Sequence, residues 1–224
     1  METNMDLDKF TIDTRRYEHQ DGLRDFQIAL VFLIFGLANW FIFTSSGLAF
    51  VAEFIVRYKS ILVPAVVGFI ALIFLLVFGA ERVMERIRRA TLWKESGFVK
   101  PLRWGVVPKS FIILATAIIL AIIIGSVWLM NQGTITQEDA LRAVPTSTGI
   151  GTAIMYLAMG STLRIQRYQW VGLSGGIISG LLLVTPISFA NAYLYVGLIW
   201  TMLMLLSGSW ALRKAMLDLR ENHE

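Results

Sequence analysis

Few side chains in this sequence of 224 residues could do chemistry, and they are scattered. Cysteine is absent, and the two histidines, His19 and His223, stand in polar terminal segments. Ser174 lies in a Gly-x-Ser-Gly sequence that could present a nucleophile, but such a serine needs a histidine base nearby. No apolar segment contains a histidine. The sequence therefore predicts no catalytic residue, no metal site and no cofactor, and it favours a protein that is not an enzyme.

Two aspartates, Asp21 and Asp25, stand just before the first apolar segment. Similar pairs hold a metal in lipid-headgroup transferases, but those enzymes need further aspartates on the same helical face, and none follow here. Acidic residues favour the first turn of a helix, and aspartate is a good helix cap. We interpret Asp21 and Asp25 as capping and solvated charges.

The composition is that of a membrane protein. Hydrophobic residues make up 56% of the chain and charged residues 16%, whereas soluble domains carry about 25% charged residues. The apolar residues form uninterrupted runs, and about 20 such residues in a helix cross a bilayer core. The sequence therefore predicts an all-α, polytopic membrane protein with a six-helix transmembrane bundle in residues 26–212. The predicted spans are about 26–46, 61–80, 111–130, 146–163, 170–186 and 190–212.

The remaining segments are polar and their charges set the orientation. They are an N-terminal segment (1–25), a basic connector (81–109) and a C-terminal tail (213–224). With the short 164–169 turn, these segments hold seventeen of the 20 lysines and arginines. The positive-inside rule then puts both termini on the cytoplasmic side of the inner membrane. Residues 47–60 are left open as an interfacial helix or a loop, in which Glu53 and Arg57 are spaced to pair.

The basic connector carries more positive charge than topology alone requires. Its residues could contact anionic lipid headgroups at the cytoplasmic face, or a partner protein, and nucleic acid is not an expected partner. The candidates for lipid or partner contact are Arg82, Arg86, Arg88, Arg89, Trp93, Lys100 and Arg103. Fixing the topology remains the simpler interpretation.

Two predicted spans carry small residues four apart on one face, which lets helices approach closely within a membrane. The predicted helix-packing residues are Gly172, Gly176 and Gly180 in one span, and Ala117, Ala121 and Gly125 in another. Packing within the chain, contact between two protomers of a homodimer, and the lining of a lipid or solute path all stay open.

Polar side chains are rare at depth in the predicted spans. Asn39, Tyr156 and Trp200 are candidates for an intramembrane polar cavity, although each could instead satisfy a hydrogen bond between packed helices. The predicted spans contain no charged residue well inside the membrane, which disfavours a carrier driven by a proton relay.

The Asp21-Gly22-Leu23-Arg24-Asp25 lead-in and the Thr91-Leu92-Trp93-Lys94-Glu95-Ser96-Gly97-Phe98-Val99-Lys100 segment resemble a loose group of bacterial and archaeal multi-pass membrane proteins. Many of those have an aromatic-Pro-Arg-x-Gly-Tyr-Val sequence at the second site, where this chain has Trp93-Lys94-Glu95 in place of the aromatic-Pro-Arg part. The resemblance covers about 40 residues and implies a prokaryotic cytoplasmic membrane. It implies no activity.

The function that we expect is non-catalytic: a membrane subunit or scaffold that interacts with lipid or a partner protein. The alternative is a small solute or lipid transporter, acting as a dimer through its glycine faces. The substrate, the partner and the oligomeric state stay open.

Overall fold

A computed structural model describes residues 19–58, 62–88, 90 and 107–221 of the chain. Within those ranges the protein is all-helical, with 90% helix and no strand. The helices are α1 (Leu23–Phe43), α2 (Ser45–Arg57), α3 (Leu62–Ile87), α4 (Lys109–Asn131), α5 (Gln137–Thr162), α6 (Gln166–Val184) and α7 (Phe189–Glu221).

Three of these helices are long and apolar enough to cross a membrane: α1, α4 and the Phe189–Asp218 part of α7. The criterion is length and composition, and the 23 residues of α4 give it a length of about 35 Å. The membrane character expected from composition is therefore supported by three helices of the described chain.

The segment after α1 is a second helix as far as Arg57, so residues 47–57 of the open segment 47–60 are helical and are not a loop. Thr44 has extended backbone angles and separates the two helices, and its side chain accepts a hydrogen bond from the backbone N–H of Gly47 to cap α2. Glu53 and Arg57 form the expected ion pair, with 3.5 Å between their nearest charged atoms. Helix α3 continues into the basic connector as far as Ile87.

Helix α5 begins earlier than the predicted span at 146–163. A capping box closes its start, because Thr136 accepts from the Asp139 N–H and the Asp139 carboxylate accepts from the Thr136 N–H. Pro145, which directly precedes the predicted span, lies inside the helix. Hydroxyl groups add hydrogen bonds to backbone carbonyls around it: Thr146 donates to the Arg142 carbonyl and Ser147 to the Val144 carbonyl, each at 2.9 Å. The predicted break between the last two spans is confirmed by the gap between Val184 and Phe189.

A close helix crossing joins the antiparallel helices α1 and α7. A Cβ atom built on Gly197 would lie 2.6 Å from the Gly36 Cα, and one built on Gly36 would lie 2.8 Å from the Gly197 Cα. Nearer the start of α1, Gly22 has a φ of 76° and lies against the backbone of Gly208. The Thr201 hydroxyl donates to the Gly197 carbonyl at 2.7 Å and also reaches the Ala29 carbonyl of α1 at 3.3 Å.

The core lies where α1, α5, α6 and α7 meet, and its centre is the fully buried Trp200. The indole is stacked between Phe32 of α1 and Tyr156 of α5, with 5.5 Å between ring centroids on each side. Gly175 of α6 leaves room for the indole, because a Cβ there would lie 2.7 Å from the ring. Outside this core, α4 packs on α5, and α3 packs on α1.

A buried arginine fixes the end of the bundle where α6 turns into α7. Arg142 of α5 donates to the Asp139 carboxylate at 2.6 Å and to the Ile187 carbonyl at 3.1 Å. It also reaches the Leu183 carbonyl at 3.3 Å. One guanidinium therefore holds the α6–α7 turn against α5.

We expect Gly197→Ala to destabilise the protein, because the added methyl must push α1 and α7 apart. Overpacking of this kind costs about 1–3 kcal/mol. The measurement is the thermal unfolding midpoint in mild detergent. Gly180→Ala is the matched control, since a Cβ at Gly180 meets no atom within 4 Å and alanine favours the helix by up to about 1 kcal/mol. Equal destabilisation by both substitutions would contradict the close crossing.

Candidate functional site

The candidate site is a buried polar cluster of seven residues at one end of the bundle: His19, Asp21, Asp25, Arg88, Arg167, Tyr168 and Ser207. Its members come from the segment before α1, from α1 itself, from the end of α3, and from α6 and α7. All seven are largely hidden from solvent. Five of them are histidine, aspartate or arginine, and the other two carry a hydroxyl group.

Asp25 is the centre of the buried polar cluster and has an exposed fraction of 0%. Its carboxylate accepts hydrogen bonds from the Tyr168 hydroxyl at 2.5 Å and from the Ser207 hydroxyl at 2.7 Å. The Arg167 Nε lies 3.4 Å from the second carboxylate oxygen and supplies the opposite charge. One carboxylate of α1 therefore contacts both α6 and α7.

Asp21 and Arg88 form a second buried pair. Arg88 Nε donates to Asp21 Oδ2 at 2.5 Å and Arg88 Nη2 donates to Asp21 Oδ1 at 2.9 Å. Asp21 Oδ1 also accepts from the backbone N–H of Leu23 at 3.0 Å. The two-point geometry is typical of strong arginine–carboxylate recognition, and it ties the end of α3 to the start of α1.

His19 completes the buried polar cluster from the segment before α1. Its Nδ1 lies 3.0 Å from the Tyr168 hydroxyl, which donates its own proton to Asp25. The imidazole must therefore donate from Nδ1, as a neutral ring can. The Arg167 guanidinium donates to the backbone carbonyls of His19 and Gln20. Burial, together with the nearby positive charges of Arg24, Arg167 and Arg88, lowers the pKa of His19 from 6.5 to about 3.

The arrangement neutralises buried charge and holds helices together. Both aspartates have their oxygens occupied by donors from other elements, so the expectation that they are solvated is wrong. The capping part of that expectation is met in part, since Asp21 accepts from the Leu23 N–H. Within the described ranges no group of three or more histidines and acids could hold a metal ion.

The predicted lipid or partner contacts in the basic connector divide into three kinds. Arg82 and Arg86 are exposed on α3. Arg88 is buried, with 4% of its surface exposed, and the prediction of a surface contact is corrected there because its charge is paired with Asp21. Arg89, Trp93, Lys100 and Arg103 lie outside the described residues.

The predicted small-residue faces differ in their surroundings. A Cβ on Gly172 would lie 2.8 Å from the Ala153 carbonyl of α5, and one on Gly176 would lie 3.0 Å from the Ala153 Cβ. Gly180 and Gly125 meet open space, and Ala117 and Ala121 are exposed.

The face of α4 that packs within the chain is a different one from the predicted Ala117, Ala121 and Gly125. It carries the buried Ala115, and Ile119 lies over Gly151 of α5.

The structure does not bring the three residues predicted for a polar cavity together as a set. Asn39 donates to the Phe35 carbonyl of its own helix at 2.8 Å, and the nearby Trp40 indole donates to the Asn191 side chain at 3.2 Å. Tyr156 and Trp200 are stacked together in the core.

Two other polar atoms come close to each other in that core. Trp200 Nε1 and Ser179 Oγ are buried with no hydrogen-bond partner among the residues described. A Cβ built on Gly149 would contact both atoms.

Sequence reasoning missed Tyr168, Arg167 and Ser207 as partners of Asp25. A weak signal was present, because the predicted topology puts residues 25, 88, 167 and 213 near the same membrane face. Comparison of the chain with protein-family models, with curated proteins and with solved structures finds no match. The resemblance in the Asp21–Asp25 lead-in therefore stays an expectation.

We expect Asp21→Asn or Arg88→Gln alone to be strongly destabilising, because each leaves a buried charge without its partner. Breaking a buried ion pair costs about 3–5 kcal/mol. The double variant should lose less than the sum of the two single losses. Unfolding in denaturant, measured for all four proteins, gives the coupling energy.

The exposed Glu53–Arg57 pair is the matched control, since both side chains are more than two-thirds exposed, at 69% and 68%. Glu53→Gln should cost under about 1 kcal/mol. Additive losses in the Asp21 and Arg88 double variant would contradict the buried pairing.

We expect the protein to lose stability as the pH falls from 7 to 5, in part through His19. The folded protein holds the pKa of His19 at about 3, so the unfolded chain, with a pKa near 6.5, takes up the proton first. The loss from this residue starts near pH 6.5, reaches about 2 kcal/mol at pH 5 and continues until the pH falls through about 3.

The measurement is the unfolding midpoint from pH 8 to pH 5 for the wild type and for His19→Gln. The variant should show a smaller decline across this range. His223→Gln is the control because it removes the other histidine of the chain. Identical declines in the wild type and His19→Gln would overturn the role given to His19.

Proposed function

We propose that this chain is an integral membrane protein with a six-helix transmembrane bundle, and that it acts as a non-catalytic membrane subunit or scaffold with a partner protein in a lipid environment. The expected place is a prokaryotic inner membrane with both termini in the cytoplasm. Three apolar helices already support membrane association.

The positions of the helix ends support the six-span topology. A six-span chain with its N-terminus inside has the start of α1, the end of α3, the start of α6 and the end of α7 on one face. Those are the elements that contribute Asp25, Arg88, Arg167 and Ser207 to the buried polar cluster. At the other end of the bundle, Trp40 of α1 contacts Asn191 of α7, as alternating spans require.

The tryptophans near predicted span ends also support this topology. Trp128, Trp170 and Trp210 have exposed fractions of 60%, 63% and 60%. Exposed indoles at helix ends are typical of membrane–water interfaces, where the ring is buried in the headgroup region and the N–H stays hydrated.

The observation that carries the non-catalytic role is the use of Asp21 and Asp25. Both carboxylates are buried in ion pairs and hydrogen bonds that join helices. Their oxygens therefore stabilise the fold and are not presented to a substrate. A reactive site would instead present such groups to a substrate.

Helix α3 offers the surface on which a partner could act. Its buried and half-buried described residues begin at Gly79, whereas every described side chain from Val63 to Phe78 is exposed. Val67 and Leu75 have exposed fractions of 58% and 69%. An apolar face of this length suits a second transmembrane helix, packed through van der Waals contact.

A transporter is the second candidate, and one observation favours it. Trp200 Nε1 and Ser179 Oγ lie unpaired in the middle of the helices described, against Gly149. Buried polar groups without partners are costly, and such groups at mid-membrane can mark a solute path.

The test is native mass spectrometry of the protein extracted gently from its own membrane. We expect a second protein at constant stoichiometry, and we expect Leu75→Ala to weaken its retention. Leu206→Ala on α7 is the matched control, since Leu206 and Leu75 are both 69% exposed. Emergence alone or as a homodimer would contradict the subunit proposal. Substrate-dependent flux into liposomes would then support the transporter.

A further inference from the structure

A groove lies beside the buried polar cluster, between the first turns of α1 and the last turns of α7. Its volume is about 370 Å³ and its walls are mainly apolar. The lining residues are Phe26, Ser209, Leu212, Arg213, Met216 and Leu217. The groove is open to the outside of the bundle, so a ligand can enter it from the lipid phase.

The groove carries a positive charge at its edge. Arg213 is exposed and forms no ion pair in the part of the chain that the structure describes. Lys214, the next residue, is also exposed. An arginine guanidinium recognises phosphate oxygens with two parallel hydrogen bonds. The free cation beside an apolar wall therefore fits a ligand with a phosphate and a hydrocarbon chain.

The depth of the groove fits the level of lipid phosphates. Helix α7 has 33 residues and is about 50 Å long, well over the roughly 30 Å of a hydrocarbon core. If the core begins at Phe189, it ends near Ser209, and Arg213 lies about 6 Å beyond it. The headgroup layer is about 5–8 Å thick on each side. In the antiparallel helix α1, Gly22 packs on Gly208 and the Phe26 ring also reaches Gly208, so Phe26 forms the deeper, hydrocarbon side of the groove.

We propose that this groove binds one anionic phospholipid of the cytoplasmic leaflet. Its phosphate pairs with Arg213, the Ser209 hydroxyl can donate to an ester carbonyl, and the start of an acyl chain packs on Phe26 and Leu212. A net negative headgroup is favoured over a zwitterionic one because Arg213, which lines the groove, would repel a choline or ethanolamine cation. This site rests on the membrane location given under the proposed function.

The test uses nanodiscs with equal amounts of phosphatidylglycerol and phosphatidylcholine, followed by native mass spectrometry of the released protein. The wild type should retain one phosphatidylglycerol in preference to phosphatidylcholine. Arg213→Gln should lower that retention about tenfold, whereas the matched control Lys214→Gln should change it by less than about twofold. Equal loss in both variants, or equal retention of the two lipids by the wild type, would overturn the proposal.

Leu212→Trp is a second variant that keeps the charge and fills the groove, and it should also lose the lipid. A thermal unfolding midpoint close to that of the wild type would show that this variant is folded. Retention of phosphatidylglycerol by folded Leu212→Trp would count against the groove. So would displacement of the lipid by millimolar inorganic phosphate, because a free anion would then be the better ligand.

A separate readout tests the membrane location on which this proposal rests. The chain has no cysteine, so Lys214→Cys gives one label site for a membrane-impermeant maleimide. Labelling in inverted vesicles but not in intact cells would support a cytoplasmic position for the end of α7. If Arg213→Gln then still retained the lipid, the groove proposal alone would be overturned. Labelling from the outer side, or protein absent from the membrane fraction, overturns the proposed function as well.

Discussion

The structure depends on a carboxylate that is wholly buried. Removing the Asp25 charge from water costs several kcal/mol unless donors and an opposite charge replace the solvent. The replacements come from Tyr168 and Arg167 of α6 and from Ser207 of α7. Since all three must be in place at once, the cluster fixes the positions of α1, α6 and α7 at this end. The Asp21–Arg88 pair adds α3 to the same set.

The aromatic core begins beside Asp25 and extends into the middle of the bundle. Tyr168 donates to Asp25 and also lies edge-on to Tyr156, with 5.5 Å between ring centroids. Tyr156 stacks on Trp200, whose other face meets Phe32. The column of rings therefore joins the polar end to the middle of the bundle, and the close crossing of α1 and α7 at Gly36 and Gly197 brings Phe32 within reach of Trp200. The polar contacts of Asp25 and the stacked rings therefore favour the same packing of α1, α5, α6 and α7.

Local features were predictable from sequence and long-range ones were not. The gap before Phe189 follows from Pro186 and Asn191, and the Glu53–Arg57 pair follows from its four-residue spacing. Asp25 was misread because its partners lie more than 140 residues away in sequence, at separations of 143 and 182. No periodicity marks such a contact. The Gly36–Gly197 crossing was missed for the same reason, because α1 has one glycine and the two glycines of α7 are eleven residues apart, so neither helix shows a glycine motif.

The buried polar cluster lies between the basic connector and the groove beside Arg213. Arg88 lies in the basic connector and is held by Asp21, which precedes α1 by two residues. Phe26, in the first turns of α1, forms one wall of the groove beside Arg213. The contacts between the connector and the groove are therefore one ion pair and the first residues of α1. Ligands at the two places would be coupled only if binding shifts the Asp21–Arg88 pair between two arrangements, because coupling needs an element whose equilibrium both sites bias.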